Sequence, residues 1–167
     1  MVPWVRLPHL PPFIKETTMK KIIISLLSFV AINSVQAQEL SIIGHGFSKH
    51  LENHNFNERN YGWGLRLEKD DFAIQAGTFH NSIRNYSKYV VVDWSPFSYN
   101  MGGCMKLEAG AFAGGTTGYK YVVTPVLGLQ SSIKCDNIFA RLRVEPDPFY
   151  TSKAIIAIEV GVVLIKF

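Results

Sequence analysis

Eight short runs of alternating apolar and polar residues constrain this chain more than any other feature. They fall at about 40–50, 60–69, 72–80, 88–96, 104–113, 122–133, 137–145 and 153–167, and turn residues bound each one. A period of two places successive side chains on opposite faces of a strand. No stretch after residue 37 sustains a 3.6-residue apolar period between helix caps, so no helix is expected there. Several short strands at regular spacing make a sandwich or a barrel.

An export signal precedes the runs. Met19-Lys20-Lys21 leads into an apolar stretch from Ile22 to Ile32, and Val35 and Ala37 suit cleavage after Ala37. That stretch is far short of the roughly 20 residues a spanning helix needs. The expectation is a signal peptide over 19–37, with an uncleaved N-terminal anchor as the alternative. Residues 1–18 carry Pro3, Pro8, Pro11 and Pro12. They are expected to be either a start read too early, with Met19 the true first residue, or a disordered leader. Residues 38–167 then make one domain. It holds 13 of the 17 Lys/Arg and 12 of the 13 Asp/Glu, a formal charge of +1. No concentrated basic face is left for nucleic acid. Its two cysteines, Cys104 and Cys135, form no CxxC and no His/Cys cluster with metal spacing, so neither metal nor cofactor is expected.

The alternation has a sense. Tyr61, Trp63, Leu65 and Leu67 share a face, opposite Gly62, Gly64, Arg66 and Glu68. Ile138, Ala140, Leu142 and Val144 oppose Phe139, Arg141, Arg143 and Glu145. In an exported chain ending on Phe167, this pattern suits apolar faces toward lipid and charged faces toward a barrel interior. The expected fold is all-β, an eight-stranded antiparallel up-and-down outer-membrane barrel; a soluble sandwich or lipocalin-like barrel is the alternative. Connections at 51–59, 81–87, 114–121 and 146–152 would face outward, and turns at 69–71, 97–103 and 134–136 the periplasm. Cys104 and Cys135 would meet at the periplasmic end, as a disulfide or as two free thiols. The interior charges would make a salt-bridged plug in the lower half, beneath an upper half able to hold an apolar pocket. One strand resists this scheme: Phe167 toward lipid puts Glu159 outward too, unless a bulge near Gly161 reverses the register.

The hairpin from Phe72 to Trp94 carries the most reactive-looking tip, with His80, Asn81, Ser82, Arg84 and Tyr86 together. A lone serine in such a place is a candidate nucleophile and equally an ordinary turn residue. Other stretches accompany it: Gly44-His45-Gly46-Phe47, Asn57-Glu58-Arg59-Asn60-Tyr61-Gly62-Trp63-Gly64, Phe79-His80-Asn81-Ser82, Asp93-Trp94, Ala109 to Gly115, Tyr121 to Leu127, Val144-Glu145-Pro146 and the terminal Phe167. In order and spacing this series resembles the PagP family, the outer-membrane lipid A palmitoyltransferases, from about Ile43 to Phe167.

The resemblance implies an eight-stranded barrel that holds an acyl chain inside and moves it from a phospholipid to lipid A. His45 takes the place of the family's essential histidine and Ser82 that of its serine. Asn81 stands where the family has an acidic residue, and Asp93 where it has a small residue at the pocket floor. Glu58 and Arg59 match a charged pair at the outer rim. Pro125 and Pro146 match prolines associated with lateral lipid entry, consistent with a residue that cannot donate to a strand ladder. The family's N-terminal amphipathic helix has no counterpart, so the chain reads as a divergent member.

The resulting expectation is an acyltransferase in the bacterial outer membrane, acting as a monomer on phospholipid and lipid A or lipopolysaccharide. His45 would be the base, Ser82 the nucleophile and Asn81 the orienting group, with Arg59, Arg84 and Lys88 holding phosphate and Asp93 shortening the pocket. His50, His54 and His80 are given no role. The alternative is a non-catalytic barrel that binds lipid or protein.

Overall fold

The computed structural model describes residues 39–51, 56–146 and 154–167. The expected leader, signal peptide and cleavage site lie outside these residues, as do parts of the 51–59 and 146–152 connections. The fold is a closed antiparallel barrel of eight strands in sequence order. These are β1 (Glu39–His50), β2 (Arg59–Lys69), β3 (Phe72–His80), β4 (Tyr86–Gly102), β5 (Met105–Thr116), β6 (Thr124–Cys135), β7 (Ile138–Pro146) and β8 (Ala154–Lys166). β8 closes on β1 through a ladder from Glu39–Lys166 to His50–Ile155. Closure removes the sheet edges at which another chain could add a strand.

The barrel is apolar outside and polar inside. Tyr61, Trp63 and Leu65 on β2, Val90, Val92 and Trp94 on β4, and Val160, Val162 and Leu164 on β8 are all exposed large side chains. Their neighbours in sequence, Arg66, Asp93 and Glu159 among them, are buried. The charged faces therefore turn inward, as the alternation in β2 and β7 implied. Glu159 is buried too, and the bulge that reconciles it with an outward Phe167 is not near Gly161. Leu40 pairs with Ile165 and Ser41 with Val163, so Leu164 is the extra residue. The reversal comes after Val163, leaving Glu159, Gly161 and Val163 all inside.

The two ends of the barrel differ. At one end, here the lower, two-residue turns join β2 to β3, β4 to β5 and β6 to β7. Asp70, Gly103 and Asp136 open these turns with φ of 53°, 61° and 52°, the left-handed geometry that matches strand twist in tight hairpins. The expected turn at 97–103 is not one: β4 runs on to Gly102, with bulges past Trp94 and Asn100 that let its polar Ser98 and Asn100 continue the ladder with β5. The longer connections gather at the upper end.

Cys104 and Cys135 are joined by a disulfide, with Cα atoms 4.8 Å apart. The bond pins the lower end of the β5–β6 hairpin, where Met105 pairs with Cys135. Tying residues 31 positions apart removes conformations from the unfolded chain, worth about 3.7 kcal/mol on the loop-entropy scale. Replacing both cysteines by serine is expected to lower the free energy of urea unfolding by about that amount, with the barrel retained. Thiol titration of the unfolded, unreduced protein is expected to find no free thiol; two free thiols would refute the bridge.

Candidate active site

A layer of buried charge crosses the middle of the barrel. Asp93, on β4, accepts from Arg143 Nη2 at 2.7 Å and Arg141 Nη1 at 3.1 Å, and Arg66 Nε lies 3.5 Å away. Glu159, on β8, pairs with Arg141 at 3.3 Å and Arg143 at 3.5 Å. Gln75 binds both sides, its amide donating to Glu159 and its carbonyl accepting from both arginines. Arg66 also pairs with Glu68. Three guanidinium groups thus meet three carboxylates. Unpaired, any of them would be very costly inside a closed barrel; paired and hydrogen-bonded, they are tolerated. This is the salt-bridged plug, with Asp93 at its centre rather than at the floor of an open pocket.

His45 and Tyr89 rest on this layer. His45 Nδ1 is 3.3 Å from Glu159, and His45 Nε2 is 2.7 Å from Tyr89 Oη. Two glycines make the arrangement possible. A Cβ on Gly64 would collide with Tyr89 Oη, and one on Gly77 would crowd the same oxygen. Their bare backbones let the phenol lie across the inner wall from β4 toward β1. Both ring nitrogens of His45 are engaged, and neither partner is Ser82, the nucleophile it was expected to serve.

Above this floor lies a cavity of about 190 Å³. Its walls are mostly apolar, with Phe79, Val91, Phe112, Pro125, Leu127 and Ile158 among them, and Arg143 and Glu159 at the bottom. Near one corner the wall is incomplete. The β6–β7 ladder stops at Leu129–Val144, so residues 124–128 of β6 pair with β5 alone. Pro125, Val126, Leu127, Glu145 and Pro146 flank that gap and line the cavity.

Ser82 also lines the cavity, and its partner is His50. Ser82 Oγ lies 2.7 Å from His50 Nε2, and both residues are buried. The Phe56 ring packs 4.4 Å from the imidazole. The backbone carbonyl of Ser82 accepts from Asn57 N at 2.8 Å, tying the hairpin tip to the β1–β2 connection. Sequence reading gave His50 no role, because it stands at the end of the first run and reads as a rim residue; a bulge in β1 brings it inside. Ser41, Ile43 and His45 point inward, but Gly46 is a bulge: His45 pairs with Glu159 and Phe47 with Ile158. After it the inward positions are Ser48 and His50. A glycine inside a strand, followed by an apolar Phe47 out of phase with Ile42, was the available signal.

The other expected site residues fall elsewhere. Asn81 does not orient a histidine. Its Oδ1 accepts from Ile83 N and Asn85 N, and its Nδ2 donates to Ser87 Oγ and Gly118 O, each bond between 2.9 and 3.1 Å. Asn81 therefore builds the β3–β4 tip and staples it to the β5–β6 connection. Arg59, Arg84 and Lys88 are exposed near the upper rim, with Arg84 at the tip at φ 66°. Glu58 pairs with Lys49, not with Arg59. The His80 ring packs edge-on to Tyr86, and His54 lies outside the described residues. No protein-family model matches the chain, and no curated protein matches it.

Two substitutions separate the roles. Asp93→Ala leaves Arg66, Arg141 and Arg143 one carboxylate short in the interior and is expected to cost about 3–5 kcal/mol in urea unfolding, against about 1 kcal/mol or less for Lys49→Ala at the rim. Asn81→Asp removes two donors and faces a carboxylate toward the Gly118 carbonyl. It is expected to destabilise by about 1–3 kcal/mol and to speed hydrogen exchange in the 81–85 tip. A neutral or stabilising Asp there would contradict the assigned bonds.

Proposed function

We propose that this chain is an outer-membrane barrel that draws one acyl chain of a phospholipid into its upper cavity and transfers it to lipid A or a similar glycolipid. The observation that carries the proposal is the coincidence of an apolar-walled cavity with a buried serine–histidine pair on its lining. An acyl chain has the chemistry to fill such walls, and an ester carbonyl is what a serine–histidine pair attacks.

Location in a membrane is supported by the outer surface. A belt of exposed Val, Leu and Ile encircles the wall, with Phe72, Trp94, Phe97 and Tyr99 toward the lower end and Tyr61, Tyr86 and Tyr121 toward the upper. Strands of about ten residues span the roughly 25 Å apolar band of outer-membrane barrels, which aromatic residues flank. Export through the 19–37 signal peptide belongs to the same proposal. The gap between β6 and β7, flanked by Pro125 and Pro146, is the natural lateral entrance for a lipid tail. Arg59, Arg84 and Lys88 at the rim suit the phosphates of phospholipid and lipopolysaccharide.

The charged floor closes the cavity's lower end, so the depth above Arg143 and Glu159 limits the chain it can take.

The test is reconstitution of the refolded chain with lipid A and phospholipids labelled in acyl chains of graded length. The expected result is transfer that favours short chains. Absence of both transfer and free-acid release at every length would leave a non-catalytic lipid-binding barrel. Recovery of the exported protein in the aqueous periplasmic fraction would overturn the membrane location itself.

A further inference from the structure

We propose that His50 is the general base that makes Ser82 a covalent acyl carrier, and that His45 is a fixture of the cavity floor. The inference rests on the acyl-transfer reading for its substrate, and on the geometry of this chain for its residues.

Two histidine–hydroxyl pairs share the cavity, at different depths. The lower pair is spoken for. His45 bridges Tyr89 and Glu159 through its two nitrogens, and Glu159 is itself held by Arg141, Arg143 and Gln75. The upper pair is built to move a proton. With the imidazole proton on Nδ1, His50 Nε2 accepts the Ser82 hydroxyl at 2.7 Å. That distance is the one a nucleophile and its base need before reaction. The imidazole is held by the Phe56 ring and the serine by the Asn57 amide, so both groups arrive already oriented. The cavity lining also carries an unspent hydroxyl. Thr124 Oγ1 is buried on the cavity lining and has no hydrogen-bond partner among the described residues, leaving a donor for a substrate carbonyl oxygen.

The chemistry balances on these groups. Ser82 Oγ bonds to the ester carbonyl carbon of the phospholipid while its proton passes to His50 Nε2. The glycerol C–O–acyl linkage then breaks at the acyl–oxygen bond, and the departing glycerol oxygen takes that proton. An acyl-serine and a lysophospholipid result. In the second half, a hydroxyl of the acceptor gives its proton to His50 and attacks the acyl-serine. Ser82 leaves and recovers the proton.

The experiment uses an alkyl fluorophosphonate, which traps an activated serine, on the refolded full-length barrel, with intact mass and peptide mapping as readouts. Expected is one adduct, on Ser82, absent from Ser82→Ala. Labelling in His50→Gln should slow by about a hundredfold or more, because glutamine can keep a hydrogen bond to Ser82 but cannot take its proton. Any rise of labelling rate with pH in the unsubstituted protein should be absent from the same variant. Barrel formation in each variant is checked by heat-modifiable migration, so loss of fold is not mistaken for loss of base. No adduct in the unsubstituted protein, or unchanged labelling in His50→Gln, would overturn the proposal. So would labelling abolished by His45→Gln yet retained in His50→Gln. The two readings fail separately. Labelling as expected with no acyl group reaching lipid A refutes the acceptor and leaves the dyad standing. Transfer that persists in Ser82→Ala refutes the acyl-serine and leaves transfer standing.

Discussion

A carboxylate enclosed by guanidinium groups sets the terms for the rest of this barrel. Asp93 meets Arg141, Arg143 and Arg66, and Glu159 completes the layer from the opposite side. Charges of this kind survive away from water only in company, so their strands must converge around one interior. Once Arg66, Asp93, Arg141, Arg143 and Glu159 point inward, period-two alternation turns their neighbours outward. That outer set is Leu65, Val92, Trp94, Leu142, Val144 and Val160, a surface suited to lipid rather than water. The layer also closes the barrel to through-passage. Whatever enters from the upper end stops at Arg143, Glu159, His45 and Tyr89.

Above the layer, small backbone devices decide which side chains reach the cavity. Gly64 and Gly77 are cut-outs in the wall that let Tyr89 span to His45. Gly161 does the same under the Phe139 ring, against which Arg141 and Arg66 pack their guanidinium faces. Gly46 acts differently: it adds a residue to β1 and so brings Ser48 and His50 inside. Ser48 Oγ then donates to Asn60 Oδ1 at 2.5 Å, while Asn60 Nδ2 donates to the His80 carbonyl. The result couples the first strand to the β3–β4 tip, where Ser82 sits. A single bulge thereby converts a rim histidine into the partner of a buried hydroxyl.

The fold was largely legible in the sequence because its signal is periodic and repeated. Turn residues fixed most of the hairpins, and alternation assigned Tyr61 to Leu67 and Ile138 to Glu145 to the correct faces. Bulges defeat that reasoning locally, since one extra residue inverts every assignment beyond it. Both the misplaced His50 and the unresolved Glu159 share a strand with such a bulge, at Gly46 in β1 and at Leu164 in β8. The lower turn after β4 failed for a related reason, because bulges carry a polar segment through to Gly102. Asn81 was misjudged differently. Its position before Ser82 suggested an orienting role, but four loop hydrogen bonds exhaust its amide, and those partners come from residues 83, 85, 87 and 118. Contacts to a distant connection such as Gly118 leave no mark on local sequence.

The vertical separation of the two histidines gives the cavity a measure. His45 marks the floor and His50 the serine, five positions apart on one strand whose bulge shortens the path, so at most about 16 Å of strand separates them. On the proposed acyl transfer, an ester carbonyl placed at Ser82 with its chain directed downward has only that depth before it meets Tyr89 and the arginine layer. Charge at the floor enforces the limit more strictly than bulk would. A flexible apolar side chain can shift to admit one more methylene, whereas Arg143 and Glu159 are held by each other, by Asp93 and by Gln75. Lengthening the chain would require breaking bonds that keep the interior charges neutralised. The feature that makes the barrel's polar core tolerable is therefore the same one that bounds what the cavity can hold.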